Sequence, residues 1–235
     1  MRESPILCNG AMVRAILSGD KTQTRRAVKN VPSWNHFGKD IMDWDLSGIH
    51  QEGYSEHDQL EGTDKWYLDV QTDVDDHSRK VICCPFGQPG DRLWVRETTE
   101  ADHDTSDAVA LSRYSADGAP VCYPAGTGDG FDGAIQHWRY SRNSRPSIHM
   151  PRDACRLVLE ITDVRVERLQ AISEADALAE GIEQLNGRFT FNGGAHESLT
   201  ARSSFMTLWD STGGMSVENP WVWVIEFKRV EVAGG

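Results

Sequence analysis

Cysteine is scarce in this sequence, and its arrangement excludes two structural classes. The chain has five cysteines among 235 residues, and none of them forms a C-x-x-C pair. A disulfide framework or a zinc site needs paired, regularly spaced cysteines. The histidines His57, His77 and His103 show no metal-ligand spacing either. We therefore predict reduced thiols, no metal ion and no cofactor.

Long apolar runs are also missing. No stretch approaches the roughly 18 consecutive apolar residues that indicate a membrane-spanning helix. The N-terminal segment MRESPILCNG lacks the apolar region of a signal peptide. We therefore expect a cytoplasmic protein with no membrane partner. Hydrophobic residues make up 39% of the chain, which is enough for an ordinary core and argues against disorder.

Basic residues are nearly absent from residues 40–76, and this segment accounts for most of the net charge of −12. It contains one base, Lys65, and twelve acidic residues: Asp40, Asp43, Asp45, Glu52, Glu56, Asp58, Glu61, Asp64, Asp69, Asp73, Asp75 and Asp76. The segment carries −11, so the rest of the chain is close to neutral. The overall charge argues against a general nucleic-acid coat protein, but it leaves room for a local basic surface.

Two stretches are locally basic. Residues 11–29 contain five bases and one acid, and residues 138–168 contain seven arginines, no lysine and four acids. Arginine without lysine favours planar, bidentate contacts to phosphates or base edges. The same composition is typical of solvated strand faces, and the sequence leaves both interpretations open.

Hydrophobic periodicity and capping signals predict most of the regular structure. Residues 10–18 have helical spacing and end at Gly19, a residue suited to a helix C-cap. Ser173, with Asp176 three residues later, predicts the start of a helix that stops at Gly181. Strands are predicted at 5–8, 79–84, 92–98, 155–168 and 221–230, with another helix around 205–209.

These elements predict an α+β fold. Strands with only a few short helices between them favour a small mixed β-barrel over βαβ units. Residues 30–77 and 100–135 have no sustained period and are rich in Gly and Asp. We predict one domain over residues 1–235, with irregular inserts at these two places and a hairpin in the first.

The run SGDKTQTRR at residues 18–26 resembles the signature of the ASCH domain family, a branch of the PUA-like barrels. In that family Gly-x-Lys-x-x-Glu-x-Arg follows a short helix. Gly19, Lys21 and Arg26 match the pattern, and Thr24 stands at the position of the Glu. Other segments similar to ASCH proteins of phages and prophages are PILCNGAMVRAILSGDKTQTRR, GQPGDRLWVRET, RPSIHMPR, LEITDVRVERLQAISEADALAEGI and NPWVWVIEFKRV. The resemblance implies a PUA-like mixed barrel, encoded by a phage or prophage and located in the bacterial cytoplasm.

The resemblance also implies three catalytic residues. Some small ASCH proteins are amidohydrolases of N4-acetylcytidine and use a Lys, a Thr three residues later, and a Glu from a later helix. The matching residues here are Lys21, Thr24 and Glu180. Breaking such an amide needs a nucleophile, a base and an acid for the departing nitrogen. A neutral Lys21 would activate Thr24, whereas a charged Lys21 would stabilise an oxyanion and leave Glu180 as the base.

Strand geometry bears on this trio. If residues 21–26 are extended, their side chains alternate with a period of two, so Lys21 and Thr24 point to opposite faces. The two meet only if the chain turns directly after Gly19. Arg25 and Arg26, which flank these residues, are candidates for binding the phosphate of a substrate.

Four further residues are candidates for binding a substrate. Trp94 would stack on a base or pack in the core. Glu97 shares a face with apolar neighbours, so its carboxylate needs a partner, which is either an arginine or a base edge. His149 and Arg152 lie in the loop RPSIHMPR, at the predicted rim of the pocket.

Three functions remain in competition. The first is removal of an acyl group from N4 of cytidine or a related modified nucleoside. The second is a non-catalytic module that binds RNA or modified DNA, as PUA-like relatives do, and the third is a ribonuclease. The trio favours the first, and the arginine-rich stretch favours the other two. The sequence does not determine the oligomeric state.

Overall fold

The computed structural model describes residues 1–29, 49–51, 66–71, 77–124, 130–191, 194 and 196–230. Along the chain, the elements are β1 (Glu3–Leu7), α1 (Gly10–Ser18), β2 (Gln23–Ala27), β3 (Ile49–Gln51), β4 (Trp66–Gln71), β5 (His77–Ile82), β6 (Arg92–Arg96), β7 (Thr99–Asp102), β8 (Leu111–Tyr114), β9 (Ser144–Arg145), β10 (Val158–Arg168), α2 (Glu174–Ala179), β11 (Glu183–Leu185), β12 (Arg188–Thr190), α3 (Ala201–Ser211) and β13 (Trp221–Val230). The fold is therefore mixed α+β, with many strands and few helices.

Five strands form the main sheet, in the order β1-β6-β10-β13-β2. β1 runs parallel to β6, and the other neighbours are antiparallel. The predicted strand at 155–168 is a single long strand from Val158 whose register shifts between Ile161 and Asp163. A bulge of this kind bends a strand and increases its twist.

The main sheet is open, which corrects the prediction of a closed β-barrel. In the described part of the chain, the edge strands β1 and β2 share no backbone ladder. A side chain spans the gap between them, because Arg26 Nη2 donates to the Leu7 carbonyl at 3.0 Å. The periodicity of the sequence predicts individual strands. Closure of the sheet into a barrel depends instead on whether its two edge strands pair with each other.

Local signals build α1 as predicted. The Asn9 side chain accepts a hydrogen bond from the Met12 amide, and Gly19 ends the helix at φ 87°. The left-handed conformation explains why glycine is placed there. Val13 and Ile16 are buried against β6 and the other strands of the main sheet, in a first hydrophobic core.

A second core lies on the opposite face of the main sheet. Along β13, Trp223 and Ile225 belong to the first core, whereas Val222 and Val224 belong to the second. Successive side chains of a strand point to opposite faces, so the two cores flank the sheet. α2 and α3 cover this second face, where Phe205 is buried. The predicted capping box of α2 is confirmed, with Ser173 and Asp176 bonded reciprocally.

The predicted inserts contain more regular structure than their composition indicates. β3 and β4 lie in the first insert and form an antiparallel sheet with β5, which starts at its end and matches the strand predicted at 79–84. Most of the remaining residues of this insert lie outside the described part of the chain. In the second insert, β7 pairs with β8 and with β9, so this unit extends beyond residue 135. It has a small core of its own that contains Tyr114 and Met150.

The described residues offer neither a membrane-spanning helix nor a metal site. Those residues contain no helix that is both long and apolar enough to cross a membrane. They also contain no group of three or more His, Cys, Asp or Glu side chains that could hold a metal ion.

Candidate active site

Two of the three residues in the predicted trio form a buried ion pair. Lys21 Nζ lies 2.8 Å from Glu180 Oε2, and it also donates to the Glu180 backbone carbonyl at 2.7 Å. Only 1% of the Lys21 side chain and 4% of the Glu180 side chain are exposed. Such a pair is screened little by solvent, so its charges act strongly on any group bound beside it.

Backbone contacts bring these two residues together across 159 positions of sequence. Glu180 is the C-cap of α2, and Lys21 pairs with it in an isolated antiparallel bridge. Gly181 follows with φ 91°, and a Cβ atom there would lie 3.1 Å from Ala15 Cβ and 3.4 Å from Lys21 Cβ. A residue without a side chain therefore allows the end of α2 to approach α1 and Lys21 this closely.

Thr24 lies on the other face of β2. It is paired with Ile225 of the first core, whereas its neighbour Arg25 is paired with Val224 of the second. Cross-strand partners share a face of the sheet. The Thr24 hydroxyl is buried and has no hydrogen-bond partner in the described part of the chain, so it is bonded to neither Lys21 nor Glu180. The structure therefore brings Lys21 and Glu180 together, but not Thr24.

Arg25 lies beside the ion pair and is completely buried. Its Nη1 is 3.3 Å from Glu180 Oε1, while its Nη2 is 3.0 Å from Glu167 Oε2 and 3.5 Å from Asp176 Oδ2. Burial alone would raise the pKa of Asp176. Hydrogen bonds, led by that from Ser173, and the positive charge of Arg25 outweigh this effect and hold the pKa below its ordinary value.

A cavity of about 360 Å³ opens next to this cluster. It lies between the start of α1, the end of α2 and the end of α3, and Asn9, Glu180, Glu183 and Thr212 are among its lining residues. Its volume falls in the range of roughly 300–1,000 Å³ that is typical of small-molecule sites. Glu180 is thus both a member of the buried charge cluster and part of a cavity wall.

Arg26 points away from the charge cluster. It is half-buried, and besides Leu7 it donates to the Arg25 carbonyl at 3.1 Å. Its described contacts are therefore with the backbone of β1 and β2, rather than with a cavity or a carboxylate.

Trp94 and Arg152, two of the predicted binding residues, meet on the outer face of β6. The Arg152 guanidinium lies 5.7 Å from the Trp94 ring, and that of Arg96 lies 5.2 Å from the same ring. Arg152 is also paired with Glu3 at 2.6 Å. These residues lie outside the wall of the cavity beside Glu180.

His149 belongs to a neighbouring aromatic group. Its ring stacks on Tyr140 at 6.1 Å, and the Arg145 guanidinium lies over both Tyr140 and Trp138, at 5.2 and 5.0 Å. Arg96 donates to the Ile148 carbonyl and so connects β6 to the loop that carries His149. We call the whole set the arginine–aromatic surface: Trp94, Arg96, Trp138, Tyr140, Arg145, His149 and Arg152.

Glu97 is paired with an arginine, which was one of the two alternatives left open by the sequence. Arg156 donates to both Glu97 carboxylate oxygens, at 2.9 and 2.8 Å, and also to Asp117 at 2.7 Å. Its guanidinium lies 3.8 Å from the Tyr114 ring. Burial raises the pKa of Glu97, although the hydrogen bonds and charge of Arg156 oppose the shift. In this cluster Glu97 is buried, whereas Arg156 and Asp117 are partly exposed, and together they join the end of β6, the turn after β8 and the chain leading into β10.

Sequence reasoning missed the residues that complete both charge clusters. Glu167 and Asp176 hold Arg25, and Arg156 holds Glu97. The alternation along β10 and the capping box of α2 place these residues locally. No local signal shows that they face an arginine from a distant strand.

Comparisons with protein-family models, with curated proteins and with solved structures find no match to this chain. The similarity to ASCH proteins therefore rests on the motif around Lys21 and on the other segments quoted above.

Proposed function

We propose that this protein is a PUA-like domain of the ASCH type that hydrolyses the amide of an N4-acylated cytidine or a related modified nucleoside. The observation that carries the proposal is the buried Lys21–Glu180–Arg25 cluster, with Glu180 on the wall of a cavity of small-molecule size. Catalytic centres commonly combine buried titratable groups with a concave site.

The ion pair favours one of the two mechanisms that the sequence left open. Lys21 in contact with a carboxylate acts as a cation rather than as a neutral base. Glu180 is then the group that takes a proton from a water molecule as the water oxygen attacks the acyl carbonyl carbon. Lys21 lies outside the cavity wall and contacts Glu180, so it holds the carboxylate in place rather than touching the oxyanion that forms. The carbon–nitrogen bond breaks, the proton passes to N4, and cytidine and a carboxylic acid are released.

A panel of modified nucleosides tests this proposal directly. Purified protein is incubated with cytidines that carry N4-acetyl, propionyl or benzoyl groups, and with unmodified cytidine. The products are then followed by mass spectrometry. We expect a loss of acyl mass from at least one member of the panel. If every acylated nucleoside remains intact, the chain is not an amidohydrolase of this class.

The position of Thr24 leads to a second prediction. Thr24→Val removes a buried, unpartnered hydroxyl, so we expect hydrolysis to be retained and stability to rise by about 1–3 kcal/mol. Urea unfolding and the rate of deacylation measure the two effects. Thr99→Val is a matched control, because Thr99 is also buried with an unpartnered hydroxyl but lies on β7. Loss of hydrolysis in the Thr24 variant alone would show that this hydroxyl reacts.

The arginine–aromatic surface supports a second candidate function, which is binding of single-stranded nucleic acid. Aromatic rings stack on bases, and guanidinium groups bind phosphates or stack on rings themselves. The surface combines both, and the acid paired with it in the described contacts is Glu3. This composition stands out in a chain whose net charge is −12.

Neutralising two arginines tests the second function. Arg142 is exposed at the edge of this surface, where its carbonyl accepts a hydrogen bond from Trp138 Nε1 at 2.9 Å. The double substitution Arg142→Gln and Arg145→Gln should weaken binding of a fluorescent oligonucleotide and reduce the salt slope by about one per lost phosphate contact. Fluorescence anisotropy over a series of salt concentrations measures both. Arg202→Gln is the control, because Arg202 is exposed on α3 and donates to the Gln170 carbonyl. An unchanged salt slope in the double variant would exclude this surface.

A further inference from the structure

Arg25 is not one of the matched positions of the motif around Lys21, and that motif does not explain why its charged side chain is buried. Its side chain is 0% exposed, and its guanidinium lies 5.9 Å from the Phe205 ring in the second core. Burying a cation is costly unless its partners satisfy it. The walls of the described cavity beside Glu180 do not include Arg25. A direct contact with a substrate in that cavity is therefore not its function.

The two ends of the Arg25 guanidinium have different partners. Nη1 is directed to Glu180, whereas Nη2 is directed to Glu167 and Asp176. Lys21 occupies the other oxygen of Glu180. Each oxygen of the Glu180 carboxylate therefore contacts a different cation, which restricts rotation of the carboxylate about its terminal bond.

The anchors of Arg25 are themselves held in place. Glu167 accepts a hydrogen bond from Arg165 Nε at 2.6 Å, on the same strand. Asp176 is fixed by the capping box, in which its carboxylate accepts from the Ser173 amide at 3.4 Å, and by Ser173 Oγ, which donates to it at 2.8 Å. Because β10 and α2 position these two acids, the guanidinium between them and Glu180 has little freedom.

We propose that Arg25 is a positioning residue that holds the Glu180 carboxylate in the orientation needed to activate water. The inference rests on the proposed function and extends it to a residue that does not touch the substrate. A planar guanidinium can bridge Glu180 and its anchors at once, whereas the ammonium of a lysine is a point charge on a shorter reach. A positive charge at position 25 is therefore not enough to hold the Glu180 carboxylate in this orientation.

The variants Arg25→Lys and Arg25→Gln test this proposal by kinetics. We expect kcat to fall about 10- to 100-fold in both, because small displacements of a catalytic group have effects of this size. KM should change much less, since the cavity wall is intact. Arg168→Lys is the matched control: Arg168 is half-buried on β10, stacks on Trp221 and has no described contact with Glu180. Unchanged kcat, or an effect confined to KM, would overturn the proposal.

Crystal structures of the same variants separate this proposal from the proposed function. In Arg25→Gln, the Glu180 carboxylate should rotate while one oxygen stays on Lys21. A carboxylate that keeps its wild-type orientation would overturn the positioning role, whether or not wild type hydrolyses any nucleoside. An inactive wild type with a rotated carboxylate in the variant would instead contradict the proposed function alone. Should Arg25→Gln fail to fold, Arg25→Lys, which keeps the charge, provides the same comparison.

Discussion

Replacing Glu180 by glutamine is expected to reduce the rate of nucleoside deacylation by about 10²- to 10⁴-fold, the usual contribution of a general base. Glutamine has nearly the same shape but cannot accept a proton at neutral pH. Its amide also presents a donor to one of the two cations that contact Glu180. The rate is measured by release of free nucleoside under conditions where the substrate saturates the protein.

A matched control and a second variant keep this result interpretable. Glu183→Gln changes an exposed carboxylate on the wall of the same cavity, and we expect it to retain the rate within a few-fold. Removing one member of a buried ion pair costs about 3–5 kcal/mol, so circular dichroism must show that the Glu180 variant is folded. If it is not, Glu180→Asp retains the charge, retracts it by one methylene group and should still lose about 10²-fold. Full activity in a folded Glu180 variant would exclude this carboxylate as the base.

The parts of the fold that the sequence predicted are those with local causes. α1 was predicted because its cap, its apolar stripe and its terminal glycine lie within eleven residues of one another. α2 was predicted from Ser173 and Asp176 in the same way. In each case the signal and the structure it specifies involve the same short segment.

Sheet closure could not be predicted because its cause is not local. β1 and β2 are close in sequence, yet whether they form a ladder depends on three other strands between them. The result is an open order in which Arg26 joins the edges by a side chain. The periodicity of a strand does not indicate how far apart the two edge strands of the sheet lie.

The candidate site shows the same division between local and long-range causes. Alternation along residues 21–26, if extended, predicted that Lys21 and Thr24 point to opposite faces. The structure separates the two side chains: Lys21 is paired with Glu180 just before β2, whereas Thr24 is paired with Ile225 of the first core. Alternation could not predict that Arg25 is buried, because the acids that make its burial possible come from 142 and more positions away. The sequence also left open whether Trp94 stacks on a ligand or packs in the core, because the position of Arg152 over its ring depends on a distant loop.

Removing Arg156 is expected to cause a large loss of stability. Arg156→Met keeps the aliphatic stem but leaves Glu97, 1% exposed, without the guanidinium that contacts both its oxygens. Breaking a buried pair from one side typically costs about 3–5 kcal/mol. The variant also releases Asp117 and the Tyr114 ring, so the unit containing β7 and β8 loses one of its attachments to the end of β6. Urea unfolding monitored by tryptophan fluorescence measures the loss.

The pH dependence of that loss identifies its cause. Burial already raises the pKa of Glu97 in the native protein, and removal of Arg156 raises it further. A carboxyl group with a raised pKa in the folded state binds its proton more tightly there than in the unfolded state. Its ionisation therefore destabilises the fold as pH rises through the interval from the unfolded pKa to the folded one. We expect Arg156→Met to be less destabilised at pH 5 than at pH 8.

Two companion variants distinguish an unpaired buried charge from lost packing. Adding Glu97→Gln to Arg156→Met should recover much of the stability at pH 8, because the uncompensated carboxylate is gone. Arg113→Met provides the contrast, since the pair between Arg113 and Glu100 is partly exposed and screened by solvent, so its loss should change stability little. An Arg156 variant as stable as the Arg113 variant, or equally destabilised at both pH values, would show that this cluster does not hold the inserted unit to the main sheet. The double variant then measures how much of the loss comes from the carboxylate itself.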